Sequence, residues 1–216
     1  MQVTLINEPT PEMCDFAARM CYGAKDGHKA LMSGLEGGHE SLLEHATFSF
    51  HVQGVSRVLL AQLTRHRIAS FSVQSQRYVP MKGGFAYVIP PKIAALGPDA
   101  VKRYEAQMEQ MSIWYDEWFE ALGENSAEDA RFVLPGACQT ELVMTMNIRE
   151  LRHFLSLRCC NRAQWEIRSM ADKILRASRE VAPDLFRDAG PGCVRGRCPE
   201  GRRSCGKPRE ELMVRD

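Results

Sequence analysis

Alternating hydrophobic and polar residues predict three short strands. Phe48, Phe50 and Val52 alternate with polar neighbours, as on a strand that buries one face. The segments QTELVMTM, residues 139–146, and FAYVIPP, residues 85–91, are rich in residues that favour extended structure. The predicted strands are far apart along the chain, so helices and loops must connect them.

Apolar residues at helical spacing predict the helices of the first half. One helix begins at Thr10–Pro11 and stops at Gly23, and GLEGGHE, residues 34–40, is a predicted loop. Ser56 caps a short helix that runs into residues 65–67.

The longest predicted helix follows Pro98 and has about 24 residues. Its apolar residues recur at gaps of three and four from Val101 to Leu122, which is a heptad seam. Such a seam packs either in the core or against another subunit, and the pattern leaves both possibilities open.

Polar caps predict the remaining helices. Ser126 precedes a short helix with acidic residues in its first turn. Asn147 and Asn161 each precede a Glu or Gln by three residues, and this capping-box spacing predicts helices over 148–158 and 162–182. Helices and strands mix without a βαβ rhythm, so the pattern favours the α+β class, as a single domain with a mixed sheet and several helices.

The composition excludes several classes of partner. The chain has 216 residues with 28 basic and 27 acidic side chains, and its net charge of +1 gives no general attraction to nucleic acid or to an anionic membrane. No apolar run is long enough to predict a membrane span, and the N-terminus lacks the pattern of a signal peptide. We therefore expect a cytoplasmic protein whose eight cysteines stay reduced.

Positive charge is concentrated in RHRIASFSVQSQR, residues 65–77, which contains three arginines and three serines. Arginine forks beside hydroxyl groups match phosphate oxygens in geometry and charge. The alternative for residues 65–67 is a basic last turn that the helix dipole stabilises.

A second set of arginines lies downstream: Arg131, Arg149, Arg152, Arg158 and Arg162. Of these, Arg152 is predicted to lie on a solvated helix face. The chain has no glycine-rich phosphate motif, so these arginines would have to hold an anion.

The arginine-rich segment also carries a family resemblance. RHRIASFSVQSQR fits R-H-R-x-x-S-x-x-x-x-S-x-R, which resembles the signature of the flavin-dependent thymidylate synthases. The likeness continues in HESLLEHATFSFHV (39–52), RFVLP (131–135) and MNIRELRHFLSLRCCNRAQWEI (146–167). It covers residues 1–190, which we predict to be the synthase domain. Residues 191–216 form a predicted Gly/Arg/Cys-rich C-terminal tail.

The resemblance implies an activity and an assembly. Members of the family convert dUMP to dTMP with methylenetetrahydrofolate as carbon donor, FAD as hydride carrier and NADPH as reductant. They are homotetramers of a family-specific fold, and their sites are shared between subunits. The implied partners of this chain are therefore dUMP, folate and further copies of itself.

The resemblance also implies individual site residues. FAD would be contacted by Ser41, Glu44, Arg65, His66, Arg67, Val73, Asn147, Ile148, Arg149 and His153. The dUMP substrate would be held by Gln62, Leu63, Thr64, Arg65, Val73, Gln74, Ser75, Gln76, Arg77, Arg131 and Arg158. The chain departs from the commonest family residues at Cys21, Ser72, Val73, His153 and Arg162, which weakens any side-chain role there.

Arg158 is the predicted catalytic residue. Its planar fork can stabilise the anion that forms when uracil loses the N3 proton, although it cannot itself take that proton. Ser75 has no marked base beside it and is expected to donate a hydrogen bond to dUMP rather than to act as a nucleophile. Cys138 is predicted to be a buried, inert thiol.

The cysteines of the tail leave two possibilities. Cys193, Cys198 and Cys205, with Cys159 or Cys160 as a fourth ligand, could bind zinc. Their spacing is not that of paired C-x-x-C motifs, so we predict a free, partly ordered tail and no metal.

The sequence leaves two alternative functions. An RNA-binding module would need a basic domain with aromatic residues among its arginines, which this chain lacks. A flavoprotein that reduces a nucleotide without adding carbon is the second. A flavin spectrum would exclude the first, and tritium release from C5-labelled dUMP would exclude the other.

Overall fold

The computed structural model of the protein describes residues 1–124 and 126–213. Its strands are β1 (Gln2–Leu5), β2 (Thr47–Ser56), β3 (Ser70–Val73) and β4 (Gln139–Asn147). They form one antiparallel sheet in the order β1-β2-β4-β3. The α+β class is confirmed.

The prediction of a mixed sheet is wrong. Ser49 Oγ bonds to Thr145 Oγ1 at 2.8 Å and Gln53 donates to Glu141 at 2.9 Å, so residue numbers rise along β2 as they fall along β4. Alternation within one strand reveals its buried face but not the direction of its neighbour, and the direction was therefore open in the sequence.

The α-helices in the described residues are α1 (Glu12–Tyr22), α2 (Gly27–Glu36), α3 (Arg57–Leu63), α4 (Pro91–Ala94), α5 (Pro98–Leu122), α6 (Ala127–Ala130), α7 (Ile148–Arg158), α8 (Trp165–Val181) and α9 (Pro183–Phe186). Short 3₁₀ turns occur at Glu40–His45, Arg131–Val133, Gly192–Val194, Gly201–Arg203 and Glu210–Leu212. The predicted bounds of α7 are confirmed, and those of α1 and α5 agree closely.

Several predicted boundaries are wrong. The start of the predicted loop, residues 34–36, is the end of α2, which begins where the Asp26 side chain accepts a bond from Lys29 N at 3.0 Å. Helix α8 starts at Trp165, because the side chain of Gln164 caps it. Helix α3 ends at Leu63, before residues 65–67. In the predicted strand at 85–91, Tyr87 forms only an isolated bridge to Cys138, and Pro91 already begins α4.

The chain divides into two compact units. The first comprises residues 1–2, 52–64 and 72–142, and the second comprises residues 3–51, 65–71 and 143 onward. In the first unit the buried side chains include Val52, Val55, Leu59, Leu63, Met108, Tyr115 and Cys138. In the second they include Phe48, Phe50, Met144, Ile148, Leu151, Phe154, Ile167, Met170, Ile174 and Phe186.

The predicted seam of α5 is only partly covered within the first unit. Met108 and Tyr115 are buried, and the Tyr115 hydroxyl accepts a bond from Met81 N at 3.1 Å. Trp118 and Leu122 on the same seam are 53% and 46% exposed. None of the described helices is long and apolar enough to cross a membrane.

The described part of the C-terminal tail packs on the second unit. Arg162 donates to the Arg203 carbonyl at 2.7 Å, Asn161 to the Lys207 carbonyl at 2.9 Å, and Arg179 to the carbonyl of Leu212 at 2.7 Å. A free tail is therefore wrong for these residues, while the boundary at 190/191 stays a prediction. The described residues contain no group of three or more His, Cys, Asp or Glu side chains placed to hold a metal.

Candidate active site

Helix α7 positions much of the candidate site in the second unit. Asn147 accepts a bond from Glu150 N at 2.9 Å and so fixes the start of the helix. One face of the helix, with Leu151 and Leu155, is buried in the core. Its other face carries the exposed side chains of Arg149 and His153. The amphipathic pattern therefore holds α7 in place and presents polar side chains along its length.

A cavity of about 630 Å³ lies beside this polar face. It is lined in part by four residues that were predicted to contact FAD, namely Glu44, Asn147, Arg149 and His153. The Arg149 guanidinium lies 2.5 Å from the Glu44 carboxylate, an ion pair between half-exposed side chains. The hydrogen bond to Glu44 raises the pKa of Arg149.

His66 is buried at the inner side of α7, with both ring nitrogens hydrogen-bonded. Its Nδ1 lies 3.0 Å from Glu150 Oε1, and its Nε2 accepts from Arg158 Nε at 3.1 Å. Burial is the main cause that lowers the pKa of His66, and the hydrogen bond to Glu150 opposes it.

Arg158 ends α7 and lies close to another predicted substrate residue. Burial first, and then the positive charge of Arg65, lower the pKa of Arg158. Two positively charged arginines close together repel each other, and an anion bound between or beside them relieves this repulsion. This is the arrangement that a phosphate or an ionised base would stabilise.

The other predicted cofactor residues of the second unit differ in accessibility. Ser41, Arg65 and Arg67 are exposed. Ile148 is fully buried, and its amide bonds to the carbonyl of Ala46 at 3.0 Å. A contact from Ile148 to a cofactor through its side chain would therefore require a rearrangement of the core.

Most predicted substrate residues belong to the first unit. There, Arg77 pairs with the Glu128 carboxylate at 2.8 Å, and Arg131 donates to the Glu128 carbonyl at 2.9 Å. Arg57 donates to the Gln74 carbonyl at 3.1 Å. Burial is the main cause that lowers the pKa of Arg57, and the positive charge of Arg131 adds to it. Residue Glu128 thus brings Arg77 and Arg131 together.

The remaining predicted substrate residues lie on α3 and in the segment after it. Leu63 is fully buried, the Thr64 hydroxyl donates to the Leu60 carbonyl at 2.8 Å, and Gln62 is half-buried. Val73 and Gln74 are also half-buried. A ligand could contact the side chains of Gln62, Thr64 and Val73 without disturbing the core.

Ser75, Gln76 and Cys138 show no arrangement for nucleophilic attack. Ser75 Oγ accepts a bond from Arg77 N at 3.2 Å. Gln76 is buried and donates to Cys138 Sγ at 3.5 Å. Cys138 is fully buried, and burial raises the pKa of its thiol, so it is inert at neutral pH.

The prediction for Arg152 is wrong. Its side chain is only 14% exposed, and its guanidinium pairs with Asp188 at 2.9 Å and also donates to the carbonyl of Leu185. These partners come more than thirty residues later in the chain, and no local pattern shows them.

Three residues of the site were not predicted from the sequence. Glu150 was noted only as part of a helix cap, and its bond to His66 joins residues 84 apart. The sequence gives no role to Arg57 or Glu128, because each makes its hydrogen bond or ion pair with a residue that is distant in the chain. A charged residue inside a predicted buried helix face, as at Glu150, is the one signal that could have been used.

Comparison with known proteins identifies the family. The family model described as "Thymidylate synthase complementing protein" matches residues 4–184. A flavin-dependent thymidylate synthase from Geobacter sulfurreducens is 46% identical over 227 aligned positions, which cover 97% of this chain and 96% of that protein. One from Clostridium tetani is 41% identical and covers 95% of this chain and 93% of its own length. The likeness to the Geobacter protein reaches into the C-terminal tail.

A solved structure shows the same fold. The flavin-dependent thymidylate synthase from Helicobacter pylori, crystallised with FAD and dUMP, superposes with a TM-score of 0.67 at 27% identity and covers 88% of this chain and all of that one. The resemblance first found in residues 65–77 is thus confirmed over most of the chain, and the protein belongs to the flavin-dependent thymidylate synthase family.

Proposed function

We propose that this chain methylates dUMP reductively to dTMP, with methylenetetrahydrofolate as carbon donor and with hydride supplied by NADPH through FAD. The observation that carries the proposal is the hydrogen bond from Arg158 to His66 at the end of α7, where the charge of Arg65 also acts on Arg158. The same helix and its cap supply Arg149 and Asn147 to the lining of the cavity. These are residues of the family signature and of the downstream segment that resembles the family.

Arg158 has the central chemical role in this proposal. Carbon transfer requires C5 of uracil to act as a nucleophile, and loss of the N3 proton increases the electron density of the ring. An arginine fork stabilises the resulting charge across N3 and the adjacent carbonyl oxygen. Arg158 Nε donates to His66, and we assign the Nη edge of the same guanidinium to the base.

The phosphate of dUMP is assigned to Arg77 and Arg131, which share Glu128 in the first unit. The resemblance implies sites shared between subunits, so these arginines need not belong to the same copy as Arg158. Ser75 contributes a hydroxyl donor. The assignment requires Arg77 to exchange its Glu128 partner for phosphate, which is inexpensive because both side chains are about half exposed.

The residues around the α7 cavity fit FAD. A volume of about 630 Å³ lies within the usual range for a cofactor pocket. Arg149 and His153 offer donors for phosphate oxygens, and exposed Arg67 can add another charge. When bound, FAD supplies the hydride that reduces the transferred carbon. The chain supplies binding, orientation and electrostatic stabilisation.

A homotetramer and a cytoplasmic location complete the proposal. Trp118 and Leu122 on the α5 seam are half-exposed apolar side chains, and Trp114 is 46% exposed on the same helix. An apolar face of this kind is typical of a subunit interface. A reducing compartment is proposed because the eight cysteines show no pattern of a disulfide framework.

Omission of one component at a time tests the function. Protein that has been stripped of bound flavin and supplied with FAD, NADPH, methylenetetrahydrofolate and dUMP is expected to form dTMP, and each omission is expected to abolish it. Release of tritium from C5-labelled dUMP without dTMP formation, or no reaction at all, would contradict the proposal.

A variant tests the role of Arg158. Arg158→Lys keeps the charge but not the planar fork, so we expect FAD binding to persist while dTMP formation falls at least tenfold. The loss should lie in flavin oxidation by the substrates and not in reduction by NADPH, which stopped-flow absorbance separates. Turnover equal to that of the parent protein would exclude the assigned role.

A further inference from the structure

A buried chain of hydrogen bonds links Glu150, His66 and Arg158 in the second unit. The distances are 3.0 Å from Glu150 Oε1 to His66 Nδ1 and 3.1 Å from His66 Nε2 to Arg158 Nε. The side chains of His66 and Glu150 are 3% and 10% exposed. None of the family roles described above includes Glu150.

The chemistry of the three groups fixes the direction of both bonds. Arginine has only donors, so His66 Nε2 must carry a lone pair and accept from Arg158. The imidazole is then neutral with its proton on Nδ1, and this proton is donated to the Glu150 carboxylate, which has only acceptors. A carboxylate at position 150 therefore selects the one histidine tautomer that can bind Arg158.

Helix α7 places both ends of the chain of bonds on one face. Glu150, Phe154 and Arg158 are four residues apart in succession, so they lie one above the other. His66 lies along this face, with its ring 5.1 Å from the ring of Phe154 in an edge-to-face contact. The imidazole is thus held by packing as well as by its two hydrogen bonds.

We infer that Glu150 and His66 are positioning residues that orient the Arg158 guanidinium for the substrate. The inference rests on the proposed function, because it assumes that Arg158 binds the base of dUMP. An arginine side chain has four rotatable bonds, and holding Nε fixes the plane of the guanidinium before substrate arrives. Binding then loses less side-chain entropy, and the Nη edge meets the developing charge in one orientation.

The test is a double-mutant cycle on dUMP binding. Glu150→Ala and Arg158→Lys are made alone and together, and the dissociation constant for dUMP is measured from the change in the flavin spectrum of the holoenzyme. We expect Glu150→Ala to weaken binding about tenfold and to lower kcat/KM by up to about 10²-fold. The dUMP constants of all variants are compared at saturating FAD, because Glu150 also lines the α7 cavity.

The cycle separates positioning from a general structural effect. In the Arg158→Lys background, Glu150→Ala should change the dUMP dissociation constant by less than about twofold, because the group that it positions is already altered. The same loss of affinity in both backgrounds would overturn the inference. Leu151→Ala is the control, since it removes a fully buried side chain of the same helix that is not a member of the hydrogen-bond chain. An equal loss of dUMP affinity in this control would also overturn it.

A conservative variant keeps the test decisive if Glu150→Ala does not fold. Glu150→Gln retains the shape, and its amide can present either oxygen or NH₂ to His66 Nδ1, so the tautomer is no longer enforced. We expect a smaller loss of dUMP affinity, about three- to fivefold, that again disappears in the Arg158→Lys background. Parent-like affinity in Glu150→Gln and an additive cycle would exclude positioning. Failure of the parent protein to bind dUMP would instead contradict the proposed function.

Discussion

Arg209 binds the C-terminal tail to the rest of the second unit, and its contacts allow the effect of replacing it on the stability of the tail to be estimated. Its side chain is 10% exposed. It donates to the carbonyl of Cys159 at 2.8 Å and to Asp172 Oδ2 at 2.9 Å, and it also pairs with Glu211. The perturbation is Arg209→Met, which keeps much of the apolar stem and removes the charge and all donors.

The three lost contacts do not weigh equally. Glu211 is 62% exposed, so that pair contributes about 0–1 kcal/mol. Asp172 is only 16% exposed, and removal of one partner from such a pair costs about 3–5 kcal/mol because a carboxylate stays desolvated. The Cys159 carbonyl loses a charged donor, an effect that overlaps with the loss at Asp172. We use the lower end of the range for the Asp172 pair, about 3 kcal/mol, because the Asp172 side chain keeps some exposure to water.

The tail can respond by detaching, because it is the end of the chain. Detachment would let water reach Asp172 and the Cys159 carbonyl, so the cost appears as easier local opening rather than as global unfolding. A change of about 3 kcal/mol corresponds to opening that is about 10²-fold more populated. The amides of Val194 and Leu212, which bond to carbonyls within the tail, report this opening.

Hydrogen exchange with mass spectrometry measures the effect. In Arg209→Met we expect peptides from residues 191–213 to exchange about 10²-fold faster, while peptides from α5 stay unchanged. Arg202→Met is the matched control, because Arg202 is an exposed arginine of the same tail. Adding Asp172→Asn to Arg209→Met should restore part of the protection. Exchange of the tail within threefold of the parent protein would refute this reasoning.

Three further predictions concern charge. Glu128→Gln frees Arg77 from a half-exposed ion pair, so dUMP affinity measured by titration should rise up to about fivefold; unchanged or weaker binding would count against phosphate binding by Arg77. The lowered pKa of His66 adds stability that is complete above pH 6.5 and is lost as the pH falls through the lowered value. The free energy of unfolding, measured with urea between pH 7 and 5, should therefore depend less steeply on pH in His66→Gln than in the parent, by up to ~1.4 kcal/mol per pH unit. An unaltered slope would show that His66 is not the titrating group. Arg67→Ala should purify with less FAD, since a charged hydrogen bond contributes about 1.5–3 kcal/mol. The control is Arg103→Ala, at an exposed arginine of α5, and flavin absorbance of Arg67→Ala equal to that of this control and of the parent would exclude the role.

The sequence was most informative where local pattern and cap agreed. The Asn147 cap and the apolar face of α7 gave its bounds, and regular alternation gave β4, whose residues are alternately buried and half-buried. Helix α2 was missed because its glycines weaken the helical pattern. One of them, Gly34, is needed for packing, since a Cβ there would lie 3.0 Å from the Tyr22 hydroxyl and 3.1 Å from Leu42.

The candidate site was predictable only where a motif carried it. The family signature pointed to residues 65–77, and the comparisons confirmed the family that it implied. It did not show that His66 is buried, or that Arg77 is paired with Glu128. Those facts depend on neighbours that lie far away in sequence, and burial alone decides whether a histidine in such a motif faces a ligand or another residue.

Glu150 shows why a correct local assignment can still miss a role. Its amide is capped by Asn147, as the spacing predicted, but its carboxylate is directed at His66. A carboxylate that only finished a cap would not need burial, which is unfavourable for the charge unless a donor compensates. The spacing of Glu150, Phe154 and Arg158 already placed them on one helix face. The sequence did not show which hydrogen-bond donor packs against that face. A neutral histidine there donates to the carboxylate and accepts from the arginine, so both are hydrogen-bonded without burying a second positive charge.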